Sequence, residues 1–200
     1  MEIIRAREAG EGIRKEISDI FVDGFIRFLQ YFSKDTEKLS HAFAHMFVLE
    51  NFYIAVIDGE PAGIAACTDG KIPPVRILSG EFRRHLGVVR GSLAGIMLKR
   101  ELQNHSYPFP IEPGTGSVEY VATKAKFRGK GVASTLIKHI VREGGYTSYV
   151  LDVADTNTNA FRLYEALGFR EFMRVPHKYA KQSGINYTVY MKYGPISPSN

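Results

Sequence analysis

Two glycines, Gly129 and Gly131, sit in the stretch Phe127-Arg128-Gly129-Lys130-Gly131-Val132-Ala133-Ser134-Thr135, at the passage from a strand-like run, Ser117 to Lys124, into a helical run, Gly129 to Glu143. A glycine turn that closes a strand and opens a helix restricts the fold more than any other feature of this chain. Glycines let the backbone turn tightly and approach a ligand, and the first helical turn leaves N–H groups pointing outward with partial positive charge. Arg128 and Lys130 add charge, and Ser134 and Thr135 add hydroxyl donors. Such a turn can cradle a pyrophosphate. Its spacing fits neither the P-loop, which needs four residues between Gly and Gly-Lys, nor G-x-G-x-x-G, because Ser134 stands where the third glycine belongs.

The flanking periodicities supply the rest. A first strand around Ile4 and Ala6 leads into a helix marked by Ile13, Ile17, Ile20, Phe21, Phe28 and Phe32, running as far as Ser33. Asp35-Thr36 caps a second helix with the stripe Leu39, Ala42, Phe43, Met46 and Phe47. Phe52 to Ile57 and Ala62 to Thr68 flank Asp58-Gly59, a hairpin turn. Phe82, Leu86, Val89, Leu93 and Ile96 predict one helix over 80–103, and the Pro-rich segment Asn104 to Gly116 is a loop. After the glycine turn come a strand at 147–153, a helix at 157–167, and strands at 169–175 and 187–192. This order predicts an α/β (α+β) domain with a mixed sheet and helices on its faces. We expect one domain over 1–193, with a helical insertion at 71–114 and a frayed tail at 194–200.

Composition narrows the setting. Lys+Arg 26 against Asp+Glu 21 gives +5, which favours a polyanionic partner without choosing among nucleic acid, membrane and phosphorylated small molecules. The single cysteine, Cys67, excludes an intrachain disulfide and a multi-cysteine zinc site. The N-terminus alternates apolar and charged residues, and the longest apolar-looking stretch, Leu86 to Leu98, carries Arg90 and is too short to span a bilayer. A cytoplasmic protein that does not enter membranes is expected.

The order strand, Arg128-x-x-Gly131-x-Ala133, amphipathic helix, strand, then Asn157-x-x-Ala160-x-x-Leu163-Tyr164-x-x-Leu167-Gly168-Phe169 resembles the Gcn5-related N-acetyltransferase superfamily. The resemblance is specific over about 117–175 and absent over 71–114. It implies a central mixed, mostly antiparallel sheet of six to seven strands flanked by helices. It also implies an acetyl-CoA-dependent transfer to an amine by direct attack in a ternary complex, with acetyl-CoA as cosubstrate and no metal.

By the same resemblance, Val121, Ala122 and Thr123 hydrogen-bond the pantetheine arm through their backbone, and Arg128, Gly129, Lys130, Gly131, Val132 and Ala133 hold the pyrophosphate through backbone N–H groups, with the Ser134 hydroxyl. Two positions depart from the family pattern: Thr123 and Ala125 replace its usual Val and Pro. Asn157 matches an asparagine that contacts pantetheine, the alternative being simple helix capping with Thr156. Tyr164 matches a tyrosine that protonates the departing thiolate. It also reads as a packed aromatic. An amine must lose a proton before it attacks, so a carboxylate base is expected. Glu119 and Asp152 are the candidates. Alternation puts Glu119, Val121 and Thr123 on one face if no bulge intervenes.

Phe28, Tyr31 and Phe32 are expected either to line the acceptor pocket or to be core. His41 and His45 stand four apart but lack a carboxylate at matching spacing, so they read as an ordinary helix face. The insertion reads as a lid or a dimer face, and the chain as a monomer or homodimer. The acceptor is expected to be a small-molecule or peptide amine. Nucleic acid is disfavoured, because basic and acidic residues are interspersed with no aromatic-interleaved basic stripe. The rival to an enzyme is a non-catalytic acyl-CoA sensor of the same fold.

Overall fold

The computed structural model describes residues 1–104 and 106–194, so all but Gly194 of the expected tail lies outside the described residues. Seven strands form one sheet of order β1-β2-β3-β4-β5-β7-β6. They are β1 (Glu2–Arg5), β2 (Phe52–Ile57), β3 (Glu60–Thr68), β4 (Thr115–Thr123), β5 (Ser148–Ala154), β6 (Arg170–Pro176) and β7 (Tyr187–Tyr193). Every pairing is antiparallel except β4 with β5. The β2–β3 turn carries positive φ at both Asp58 and Gly59, as a tight hairpin of right-handed twist requires.

Helices cover both faces of this sheet. Helices α1 (Arg14–Leu29) and α2 (Thr36–Phe43) bury Ile17, Ile20, Phe21, Leu39 and Phe43 on one face. Asp35 caps α2 by accepting from the Lys38 N–H at 2.9 Å. On the other face α5 (Val132–Glu143) and α6 (Thr158–Ala166) bury Leu136, Ile137, Ile140 and Tyr164 against Leu151, Val153 and Met191. Gly63 on β3 seats the start of α5, since a Cβ there would lie 2.5 Å from Val132 and 2.9 Å from the Ala122 carbonyl. The first helix ends at Leu29 rather than Ser33, so its expected last turn falls outside it.

Two irregularities shape the middle of the sheet. The pair Ala66↔Glu119 is followed by Ile64↔Ala122, so two steps on β3 match three on β4, and Tyr120 takes φ +52°. This bulge resets alternation: Val118 and Val121 both pack on the α5 side, whereas Ala122 joins the α1 side. The expected common face of Glu119, Val121 and Thr123 is therefore broken at Tyr120. In addition, β4 and β5 pair only through Thr115↔Ser148, Gly116↔Tyr149 and Ser117↔Val150. Beyond those rungs the two strands part, leaving a cleft whose walls carry backbone N–H and C=O groups with no strand opposite.

The insertion differs most from its sequence reading. A single helix over 80–103 is replaced by α3 (Ser79–Leu86), α4 (Val88–Leu98) and a π-turn at Lys99–Gln103. Gly87, at φ +84°, makes the break. The apolar stripe is split accordingly. Phe82 and Leu86 are buried, but Val89 is 82% and Ile96 71% exposed. Gly91, Ala94, Gly95 and Leu98 face inward instead. A Cβ on Gly91 would meet the Phe82 carbonyl at 2.4 Å, and one on Gly95 the Ser79 side chain at 2.7 Å, so the two helices approach through small residues. A short helix, α7 (Ala180–Ser183), precedes β7. Among the described residues no helix is long and apolar enough to cross a membrane.

Candidate active site

The glycine turn sits at the mouth of the β4–β5 cleft. Gly129 and Gly131 take φ +77° and +76°, and α5 begins at Val132 rather than at Gly129 because these residues form its left-handed entry. Neither glycine is crowded, so conformation and not space requires them. The first helical bond runs from the Thr135 N–H to the Gly131 carbonyl at 3.0 Å. The N–H groups of Gly129, Gly131, Val132, Ala133 and Ser134 have no acceptor among the described residues. Five clustered donors at a helix start form a concavity suited to an anion such as a phosphate group.

Much of the basic charge around the turn is paired with carboxylates. Lys124 and Lys126 pair with Glu60 at 3.2 and 2.6 Å, which holds the Glu60 carboxyl below the usual carboxylate range. The Arg128 guanidinium contacts Asp23 on α1 at 3.1 Å and the Thr123 carbonyl at 3.3 Å, and its backbone N–H, one of the expected pyrophosphate donors, goes to the Ala125 carbonyl at 3.2 Å. Asp23 also accepts from the Ala125 N–H at 2.6 Å. These contacts make Arg128 a brace between α1 and the turn, with Asp23 as its anchor. Lys130 lies over the Phe127 ring at 5.2 Å.

The candidate carboxylates lie on the sheet face opposite the turn's helix. Val118 on β4, and Leu151 and Val153 on β5, point to the α5 side, so Glu119 and Asp152 share the opposite face. Burial pushes the Glu119 carboxyl up to about 7, with the Asp152 charge adding to the rise and a 2.9 Å hydrogen bond from Ser117 opposing it. Ser117 in turn contacts the Tyr107 hydroxyl at 2.5 Å. A cavity of about 30 Å³ bounded by Gly70–Pro74, Leu102, Gln103 and Tyr107 adjoins Glu119 and has room for water. Asp152 is exposed and stands opposite Tyr190 in the β5–β7 ladder.

Tyr164 enters from the α6 side and is buried. Burial first, then the Asp152 charge, pushes its phenol well above the ordinary value, so it stays protonated. Asn157 caps α6 by accepting from the Ala160 N–H at 3.3 Å. Its side chain therefore has a structural task at the cleft rim. The three aromatic candidates separate: Phe28 is 51% and Tyr31 71% exposed, while Phe32 is core.

Cys67 and His45 have structural roles. Burial raises the Cys67 thiol to about 12, which suits a small apolar strand residue. His45 accepts from the Leu78 N–H through Nε2 at 3.1 Å and meets the Ala42 carbonyl through Nδ1 at 2.9 Å, so it pins the start of α3. The sequence reading missed Asp23, Ser117 and Tyr107. Ser117 had a signal, standing two before Glu119 on a strand. Asp23 and Tyr107 reach the site only through the tertiary fold.

Comparison with known proteins agrees with this arrangement. The family model described as acetyltransferase (GNAT) family matches residues 14–169. No curated protein matches the chain. Among solved structures, an N-acetyltransferase from Staphylococcus aureus Mu50 is 14% identical, with a TM-score of 0.64 over 96% of this chain and 100% of that one. A protein from Corynebacterium glutamicum entitled histone acetyltransferase HPA2 and related acetyltransferase is 21% identical, with a TM-score of 0.62 over 99% and 98% of the two chains. The ribosomal-protein-S18-alanine N-acetyltransferase from Escherichia coli is 13% identical, with a TM-score of 0.53 over 100% and 97%. At these identities the likeness is one of fold. With the family match spanning most of the sequence, the chain belongs to the GNAT acetyltransferase family.

Proposed function

We propose that the protein is an acetyl-CoA-dependent N-acetyltransferase acting on a primary amine, of a small molecule or a peptide, by direct attack in a ternary complex. The observation that carries this reading is the cleft that opens beyond Ser117↔Val150, with the five N–H donors at its mouth. Acetyl-CoA supplies the acetyl carbon and a thiolate leaving group. The turn from Gly129 to Ser134 holds the pyrophosphate, and the unpaired edge of β4 at Val121 to Thr123 receives the pantetheine arm.

In this reading Glu119 takes the amine proton, directly or through water in the adjoining cavity, as the nitrogen attacks the thioester carbonyl. A backbone N–H near Thr123 polarises that carbonyl. As the C–N bond forms and the C–S bond breaks, Tyr164 donates a hydrogen bond to the departing sulfur. A phenol raised above about 10 is a weaker acid than a thiol near 8.5, so Tyr164 acts chiefly as a donor that stabilises the developing charge. Asp152 keeps Glu119 basic through repulsion. Calorimetric titration with acetyl-CoA tests the cradle: Gly131→Val, which cannot hold φ +76° without strain, weakens binding at least tenfold. Unaltered affinity contradicts this assignment.

A further inference from the structure

We infer that Tyr107, carried by the insertion, is a positioning residue for Glu119, fixing through Ser117 which carboxylate oxygen is left to face the substrate. The inference rests on the reading of Glu119 as the base. Ser117 Oγ reaches Glu119 Oε1 at 2.9 Å, and the Tyr107 hydroxyl reaches Ser117 Oγ at 2.5 Å. An ionised carboxylate can only accept, so the one Ser117 proton goes to Glu119. Tyr107 must therefore donate to Ser117. The chain Tyr107 to Ser117 to Glu119 has one direction while Glu119 is charged, and each donor strengthens the next. It ties down Oε1. Oε2, to which no described residue is hydrogen-bonded, is left to accept the amine proton.

The segment that carries Tyr107 is anchored at that residue and beyond it. The Tyr107 ring meets Phe109 at 5.2 Å and Tyr190 at 5.9 Å, and Phe109 meets Phe172 at 4.9 Å. Glu112 then pairs with Lys192 at 3.0 Å. The Pro-rich loop thus crosses from the insertion to β6 and β7 over the face that bears Glu119 and Asp152. Among the described residues, the titratable groups around Glu119 are Tyr107 and Lys71 from the insertion, Cys67 from β3, Asp152 from β5 and Tyr120 on its own strand.

Tyr107→Phe keeps the ring packing and removes only the donor, so it separates positioning from structure. The test is a ¹³C NMR titration of the Glu119 carboxyl in the whole protein, beside kcat/KM against pH. Tyr107→Phe and Ser117→Ala each move the Glu119 midpoint up by about half a pH unit or more, and the double variant moves it no further than Ser117→Ala. The acid limb of kcat/KM follows, while KM for acetyl-CoA stays put. An unmoved midpoint in Tyr107→Phe, or a double variant equal to the sum of the singles, overturns the inference. Full activity in Glu119→Gln would instead overturn the base assignment, and the NMR midpoints would still decide whether the chain exists.

Discussion

Glu119 and Val121, two residues apart on β4, face opposite sides of the sheet. The extra residue at Tyr120, with φ +52°, lies between them and reverses the alternation. Val121 stays with the α5 cluster while the Glu119 carboxyl points toward the insertion, so one short strand carries both the unpaired edge proposed for the cofactor arm and the carboxylate proposed as base. Without the bulge, the Glu119 and Val121 side chains would be on the same face.

Activity should track the ionisation of Glu119. The group works as a base only when deprotonated, and burial places its midpoint at about 7, so kcat/KM should rise through neutral pH to a plateau above it. Glu119→Gln should lower the plateau by about 10²-fold or more and abolish the limb. Steady-state rates between pH 5 and 9, within the range about 5–9 that brackets this midpoint, check both.

The same group carries a stability signature. Its folded value lies above the ordinary carboxyl value of 4.5, so the native state binds the proton more tightly than the unfolded chain. That contribution is fully present below about 4.5 and is lost as pH rises through about 7, at a cost of roughly 3 kcal/mol. Glu119→Gln should therefore unfold at a higher temperature than wild type at pH about 8, with the gap closing near pH about 4. Thermal unfolding at the two pH values measures it.

Tyr164 should affect the chemical step and not cosubstrate binding. Tyr164→Phe keeps the buried ring against Phe169 and removes the hydroxyl. We expect kcat to fall about 10- to 100-fold with the acetyl-CoA Kd unchanged. Burial holds the phenol protonated, so any basic limb in the rate profile should survive the substitution.

Asp23 should matter to the turn although it lies about a hundred residues away in sequence, at a separation of 105 from Arg128. It accepts from both the Ala125 N–H and the Arg128 guanidinium, so Asp23→Ala leaves two donors without their partner. A loss of about 1–2 kcal/mol in unfolding free energy is expected. Arg128→Ala should cost less in that background than in wild type, which a double-mutant cycle by denaturant unfolding would show.

Much of this was legible in the chain. The glycine turn, the strand–helix–strand order after it, and the places of Glu119, Asp152 and Tyr164 follow from local spacing that tertiary contacts did not override. The insertion was not legible, because its apolar residues recur at helical spacing on both sides of Gly87, whose positive φ no periodicity reveals. Gly91 and Gly95 then turn the small residues inward and leave Val89 and Ile96 outside. The acidic partners of Lys124, Lys126 and Arg128 were not legible either, since Glu60 and Asp23 are distant in sequence. The Tyr120 bulge likewise depends on its pairing with β3.

The most direct test is release of free CoA thiol from acetyl-CoA by the whole protein, at pH about 8, with a panel of primary amines and peptides. The account predicts thiol release that requires an amine, saturates with it, and drops about 10²-fold or more in Glu119→Gln. Thermal stabilisation by acetyl-CoA with no amine-dependent thiol release, in wild type and Glu119→Gln alike, would contradict it and identify a sensor.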